Sequence, residues 1–258
     1  MAKKPKPFAT EVDLCAAFIA TLPTGWTPYA ETAGWDILLV RNTDGFQIGV
    51  QAKLQCNAHV LLQALEGSYW YHADRPGPDC RAVLVPAGED KLTTLAAFVG
   101  ITVISFTEQG GSFRARRSFW PHLPGRQYSE REWHEWTPAK RHDLPEYVPD
   151  VAAGAAAPVQ LTHWKIQALR LCVTLELRGY VTRADFRHLQ LDHRRWISKG
   201  GWLSPTPQGW VANELAPGLK AQHPKVYAEI AADAAKWMLK LPPARPEPEQ
   251  LALKAEAA

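Results

Sequence analysis

Residues 35–54 read WDILLVRNTDGFQIGVQAKL, and this stretch decides the fold. Trp35–Val40 and Phe46–Leu54 are rich in β-branched and aromatic residues, and Asn42, Thr43, Asp44 and Gly45 between them supply turn chemistry. A hairpin with a four-residue loop sets Arg41 opposite Phe46, Val40 opposite Gln47 and Asp36 opposite Gln51. Side chains alternate along a strand, so Asp36, Gln51 and Lys53 fall on one face while Ile37, Leu39, Ile48 and Val50 form the core face. Gln51 and Lys53 are then roughly 6.5 Å apart along their strand. An acid, an amide and an amine on one side of an otherwise apolar hairpin call for a chemical explanation.

Outward from the hairpin, the pattern is regular. Thr10-Glu-Val-Asp13 is a capping-box sequence that opens a helix to about Thr21, with Val12, Cys15 and Phe18 as its apolar stripe. Glu11 borders that stripe. Trp26–Glu31 reads as a first strand. After the hairpin, Asn57 caps a helix predicted over 58–73. Arg81–Pro86 reads as a strand covered on both faces, 89–99 as a short helix and Ile101–Phe106 as a second buried strand. The order α-β-β-β-α-β-α-β predicts an α/β domain over 1–110, with one mixed sheet flanked by helices. Ser112–Ser118 reads as one more strand. Residues 111–160 form a Trp/Pro-rich connector ending in an Ala/Gly linker, 151–158.

Residues 161–215 carry three helical patterns: 163–177, one opened by the Thr182-Arg-Ala-Asp185 capping box, and 193–198. Two brief strands around a Pro/Gly turn follow, between Trp202 and Trp210. Three helices and a hairpin are the winged-helix order. Arg183, Arg187, His193, Arg194, Arg195 and Lys199 lie on or beside the third helix and can neutralise phosphates. Trp196, Trp202 and Trp210 read as packing residues. In 216–258 a helix over 226–241 precedes a Pro/Glu/Ala-rich tail with the composition of a disordered segment.

With 258 residues, 46% of them apolar, the chain can bury a core and holds more than one domain. A net charge of +3 makes no case for a polyanion partner by itself, so local clustering has to carry it. The four cysteines have neither CxxC nor metal-ligand spacing and read as reduced, buried thiols. No apolar run reaches the ~20 residues that span a bilayer, and the basic start lacks the apolar core of a signal peptide. The expected location is the cytoplasm, with no membrane partner.

An acid in one strand followed by Gln51-Ala52-Lys53 in the next resembles the PD-(D/E)XK, or restriction-endonuclease-like, nuclease superfamily in its Gln-x-Lys variant. Asp36 matches the motif's acid, and Glu11 sits where the superfamily often places a helix glutamate. Gln63, with Tyr69 and Tyr71 after it, occupies the place of a glutamine that related nucleases set near the scissile phosphate. The resemblance spans roughly residues 9–106, including element order. It implies a DNA endonuclease using Mg2+ or Mn2+: Asp36, Gln51 and Glu11 as metal ligands, Lys53 orienting water or offsetting charge, and Gln63 near the phosphate. Replacing the usual glutamate by Gln51 removes one negative charge and implies weaker metal binding. A nuclease domain followed by a winged helix is also similar in architecture to the endonuclease subunit of some bacterial cut-and-paste transposons; restriction-type and phage-borne nucleases fit equally well. The rival expectation is an inactive DNA-binding or adaptor protein on the same scaffold. DNA is the expected partner in either case, with a homodimer or a protein partner left open.

Overall fold

The computed structural model describes residues 7–67, 75–107, 119–125, 132–156 and 159–240. Contacts divide the chain into two units, 1–166 with 218–226, and 167–217 with 227–258.

The first unit is an α/β domain. Helix α1 (Glu11–Ile19) opens with the expected capping box: the Asp13 N–H donates to Thr10 Oγ1 and the Thr10 N–H to Asp13 Oδ2. Strands β1 (Trp26–Thr32), β2 (Trp35–Arg41) and β3 (Gln47–Ala52) follow as an antiparallel meander. The β2–β3 register is the one that turn length dictates, with Val40 opposite Gln47 and Ile37 opposite Val50. The Arg41 N–H donates to the Phe46 carbonyl at 2.8 Å, closing the loop. Helix α2 (Ala58–Leu65), strand β4 (Cys80–Pro86), helix α3 (Thr93–Phe98) and strand β5 (Ile101–Phe106) complete the core. Strands β3, β4 and β5 run parallel, as crossover helices require. A two-residue strand β6 (Phe119–Trp120) pairs antiparallel with β5, giving a six-stranded mixed sheet in the order β1 to β6. The strand expected over Ser112–Ser118, the aromatics Tyr69 and Tyr71, and the tail beyond Lys240 lie outside the described residues.

Alternation along the strands builds two cores. Ile37, Leu39, Ile48, Val50 and Leu84 pack with Leu14, Cys15 and Phe18 of α1. Leu38, Val40, Val83 and Val85 pack with Val60, Leu61 and Ala64 of α2. Gly49 lies under the Trp35 ring, and a Cβ there would sit 2.3 Å from the indole.

Helix α2 ends sooner than the reading over 58–73. Glu66 leaves the helix at ψ 134°, and Gly67 follows at φ 73°. Buried Arg81 donates to the carbonyls of Ala64 and Glu66 at 2.7 and 2.9 Å, closing the C-terminus with a cation. Burial pulls the Arg81 guanidinium down to about 10, and it stacks on Trp35 and Trp136.

The connector packs on this unit. Trp133 and Tyr147 are buried. Arg141 pairs with Asp79 at 2.7 Å, and the amide of Gln47 brackets the His142 backbone at 2.9 and 3.0 Å. The Ala/Gly stretch read as a linker is part of this packing: Ala153 is buried in the α1-side core.

The second unit contains most of α4 (His163–Arg178), then α5 (Arg183–His188), α6 (Arg194–Ile197) and the hairpin of β7 (Leu203–Thr206) and β8 (Gly209–Ala212). Val181 bridges to Trp210 beside the hairpin. Asp185 is buried, accepts from the Thr182 N–H at 2.7 Å and pairs with Arg178, so the capping box also anchors the α4–α5 turn. Phe186 and Trp196 pack ring to ring 6.1 Å apart. The single C-terminal helix expected over 226–241 is two pieces, α8 (Pro224–Ala232) and α9 (Ala234–Trp237), preceded by a short α7 (Leu219–Gln222). Pro224 starts α8, and Asp233, at φ −85° and ψ 2°, interrupts before α9.

Candidate functional site

The candidate site forms where β2 begins and β3 stops. Glu11 stands in the first turn of α1, and its Oε2 accepts from Lys53 Nζ at 2.7 Å. Both side chains stay about a quarter exposed, 29% and 27%. Asp36 is more enclosed. Its Oδ2 accepts from the Ala52 N–H at 2.7 Å, replacing a ladder bond where β2 and β3 part. Burial lifts the Asp36 carboxyl above its ordinary range; the Ala52 N–H and the Lys53 ammonium pull it back, and Glu11 pushes it further up. Buried Cys15 lies in the field of all three, and of Glu31, and burial with these carboxylates drives its thiol far above the usual range. It is a packing residue, with no thiolate to offer.

Ideal alternation would turn Asp36 away from α1, because Ile37 points to the α1 side. Opposite it, Glu31 takes φ 50° at the end of β1, ahead of a tight turn through Ala33 and Gly34 at φ 55° and 85°. Trp35 packs on the α2 side together with Leu38, so alternation fails between Asp36 and Ile37, and the Asp36 carboxylate lies toward Ala52, Lys53 and α1.

The structure therefore brings Glu11, Asp36 and Lys53 together. Gln51 and Gln63 stand apart from that trio. Gln51 lies between Val50 and Ala52, which both face α1, and its Nε2 donates to the Gly34 carbonyl at 2.8 Å. Gln63 sits on α2, the helix of the opposite face, and its Oε1 is buried with no hydrogen-bond partner among the described residues. Among those residues no group of three or more His, Cys, Asp and Glu side chains is set to hold an ion.

Sequence reasoning missed Glu31. Its Oε1 accepts from the Gly154 N–H at 2.7 Å and the Ala155 N–H at 3.3 Å. Burial raises its carboxyl, the Gly154 bond opposes that, and Asp36 adds to the rise. Reading Ala33-Gly34 as a two-residue hairpin turn would have set Glu31 opposite Asp36.

No family model, curated protein or solved structure matches the chain.

The phosphate-binding candidates occupy the second unit. Arg183, Arg187, His193, Arg194, Arg195 and Lys199 are all exposed. Arg183 lies 5.9 Å over the Trp210 ring and Arg195 5.7 Å over Trp202, so the hairpin aromatics steady two of the cations. Apart from these, a half-open cavity of about 340 Å³ lies along β5, lined by Asp90, Thr102, Trp120 and His134 among others. It contains none of the residues singled out by sequence. Among the described residues no helix is long and apolar enough to cross a membrane.

Proposed function

We propose that the chain is a Mg2+-dependent DNA endonuclease of the restriction-endonuclease-like kind, with the second unit acting as a winged helix that docks on DNA. One observation carries the reading: Lys53 Nζ meets Glu11 Oε2 at 2.7 Å while the neighbouring Ala52 N–H holds Asp36. An acid from a helix, an acid from one strand and the amine of the next strand thus meet at one sheet end. The α-β-β-β-α-β order around them supports it further.

The donor chemistry fits magnesium. That ion favours hard oxygens, takes one or two carboxylates and keeps several waters, so it needs no cage of three acids. Glu11 and Asp36 would hold it. Gln51, tied through Nε2 to the Gly34 carbonyl, stands apart from these two and is left out of the donor set. Two acids share one lysine here: Glu11 pairs with Lys53 directly, and the Lys53 ammonium only partly offsets the burial that raises the Asp36 carboxyl. When bound, the cation supplies an acidified water and offsets charge on the phosphate in the transition state. The protein's own part is positional. Asp36 is fixed by the Ala52 amide. Lys53, paired with Glu11 at 2.7 Å, would orient the attacking water or donate to a phosphate oxygen.

The non-enzymatic reading, a DNA-binding or adaptor protein on this scaffold, draws on the same pair: Lys53 and Glu11 already neutralise each other directly. Supercoiled plasmid with Mg2+ or Mn2+ separates the two. The nuclease reading expects nicking or linearisation, and on the order of a hundred-fold slower cleavage by Lys53→Ala. Retarded but uncut plasmid would favour the binding protein. Equal cleavage by Lys53→Ala would discard the site.

DNA docking has its own test. If α6 and the hairpin carry the phosphate contacts, the double variant Arg194→Ala/Lys199→Ala loses affinity alike for unrelated sequences. The slope of log affinity against log salt then falls by roughly two, about one per phosphate contact removed. Fluorescence anisotropy across a salt series measures it; an unchanged slope removes these residues from the interface.

A further inference from the structure

We propose that Glu31 is a positioning residue: it clamps the strap 153–155 across the first turn of α1, and the strap holds Glu11 where it meets Lys53. The inference rests on the nuclease reading for its consequence in catalysis, and on contacts alone for the clamp.

The geometry comes from three sides. Glu31 reaches the strap through two bonds from one carboxylate oxygen, to the N–H groups of Gly154 and Ala155 at 2.7 and 3.3 Å. Glu31 itself takes φ 50°, an uncommon conformation for a residue with a side chain. Gly154 lies so close to α1 that a Cβ on it would stand 3.1 Å from Cys15 Sγ and 3.3 Å from the carbonyl carbon and oxygen of Glu11, and its own φ is 75°. A side chain at Gly154 would thus be strained by its φ and would crowd the first turn of α1. Ala153 is buried in the core shared with α1.

The first turn of α1 is consequently held at two places. The Thr10–Asp13 capping box secures it at its exposed end, and the strap presses on the backbone of Glu11. Free rotation of a first-turn glutamate costs little on an unbuttressed helix end, where bonds fray. Pressing the Glu11 backbone limits where its carboxylate can travel, and the carboxylate must meet both Lys53 and a cation. A charged clamp also suits the place, since an ionised acceptor makes shorter and stronger bonds to backbone N–H groups than a neutral one.

The test combines amide hydrogen exchange on the metal-free protein with cleavage kinetics, for wild type, Glu31→Ala, Glu31→Gln and Gly154→Ala. Glutamine keeps an acceptor for both amides, and alanine keeps none. The clamp predicts that Glu31→Ala speeds exchange on the order of ten-fold in peptides covering 151–156 and 10–16, with the β4 peptide unchanged. Glu31→Gln recovers most of that protection. Gly154→Ala, which attacks the contact from the strap side, reproduces the alanine pattern. In cleavage, Glu31→Ala lowers kcat with KM for DNA unchanged, and Glu31→Gln restores it. Faster exchange in 151–156 with 10–16 unaffected would overturn the proposal, as would Glu31→Gln behaving like Glu31→Ala. A wild type that cuts nothing would remove the nuclease reading, while the exchange comparison would still decide the clamp.

Discussion

Asp36→Asn is expected to lose cleavage by on the order of a thousand-fold, the several kcal/mol that a charged metal ligand contributes to phosphoryl transfer, and at the same time to stabilise the metal-free protein. The second effect follows from the first residue's surroundings. The Asp36 carboxyl lies above its ordinary value in the folded chain because it is buried. The folded state therefore holds its proton more tightly than the unfolded state does. Stability is highest below the ordinary carboxylate range and falls as pH rises through the window up to the raised folded value. Asparagine retains an oxygen for the Ala52 N–H and carries no charge, so this pH-dependent loss disappears. Mg2+ should raise the melting temperature of wild type at neutral pH by binding the folded form only and leave Asp36→Asn unmoved. Calorimetric melts across pH 3–8, with and without Mg2+, check all three statements. A variant that is less stable than wild type at neutral pH would show that the charge is well compensated, and the site would not be waiting for a cation.

Gly49→Ala is expected to have the largest effect on stability. A Cβ at this position meets three ring atoms of Trp35 at 2.3, 2.4 and 2.6 Å, closer than any rotamer adjustment relieves. Trp35 is buried, its Nε1 donates to His142 Nε2 at 3.3 Å, and Arg81 lies 5.5 Å over its ring. Moving the indole opens the α2-side core and unseats part of the connector. The cost is about 3 kcal/mol or more, the range of a lost aromatic core residue. Chemical denaturation followed by tryptophan fluorescence measures it. The pair Gly49→Ala/Trp35→Leu should recover part of the loss, because leucine leaves room for the added methyl. A Gly49→Ala protein as stable as wild type would mean that the ring does not lie on this glycine. Trp35 also precedes Asp36, so the same displacement disturbs the site.

The hairpin was legible because turn chemistry and β-branched alternation agree on one register, and Val40 opposite Gln47 follows from counting four loop residues. The buried parallel strands β4 and β5 were legible as continuous apolar runs between breakers. The meeting of Glu11 with Lys53 was expected only through the resemblance to the nuclease superfamily, which puts a helix glutamate at the site. What escaped was set by contacts distant in sequence. The end of α2 depends on Arg81, fifteen residues beyond Glu66. The break in alternation at Asp36 lies opposite Glu31, whose φ of 50° no strand pattern reveals. The Ala/Gly stretch at 151–156 has the composition of a linker, yet its small residues are what let a backbone lie against α1. The amide of Gln51 has a backbone partner at Gly34 that no strand pattern reveals.

Anomalous diffraction from crystals soaked in Mn2+ tests the central claim most directly. A single strong peak within coordination distance of Asp36 and Glu11, absent in Asp36→Asn crystals, is the predicted result. Ordered crystals soaked to saturation with no peak beside Asp36, or with the ion bound elsewhere, would contradict it.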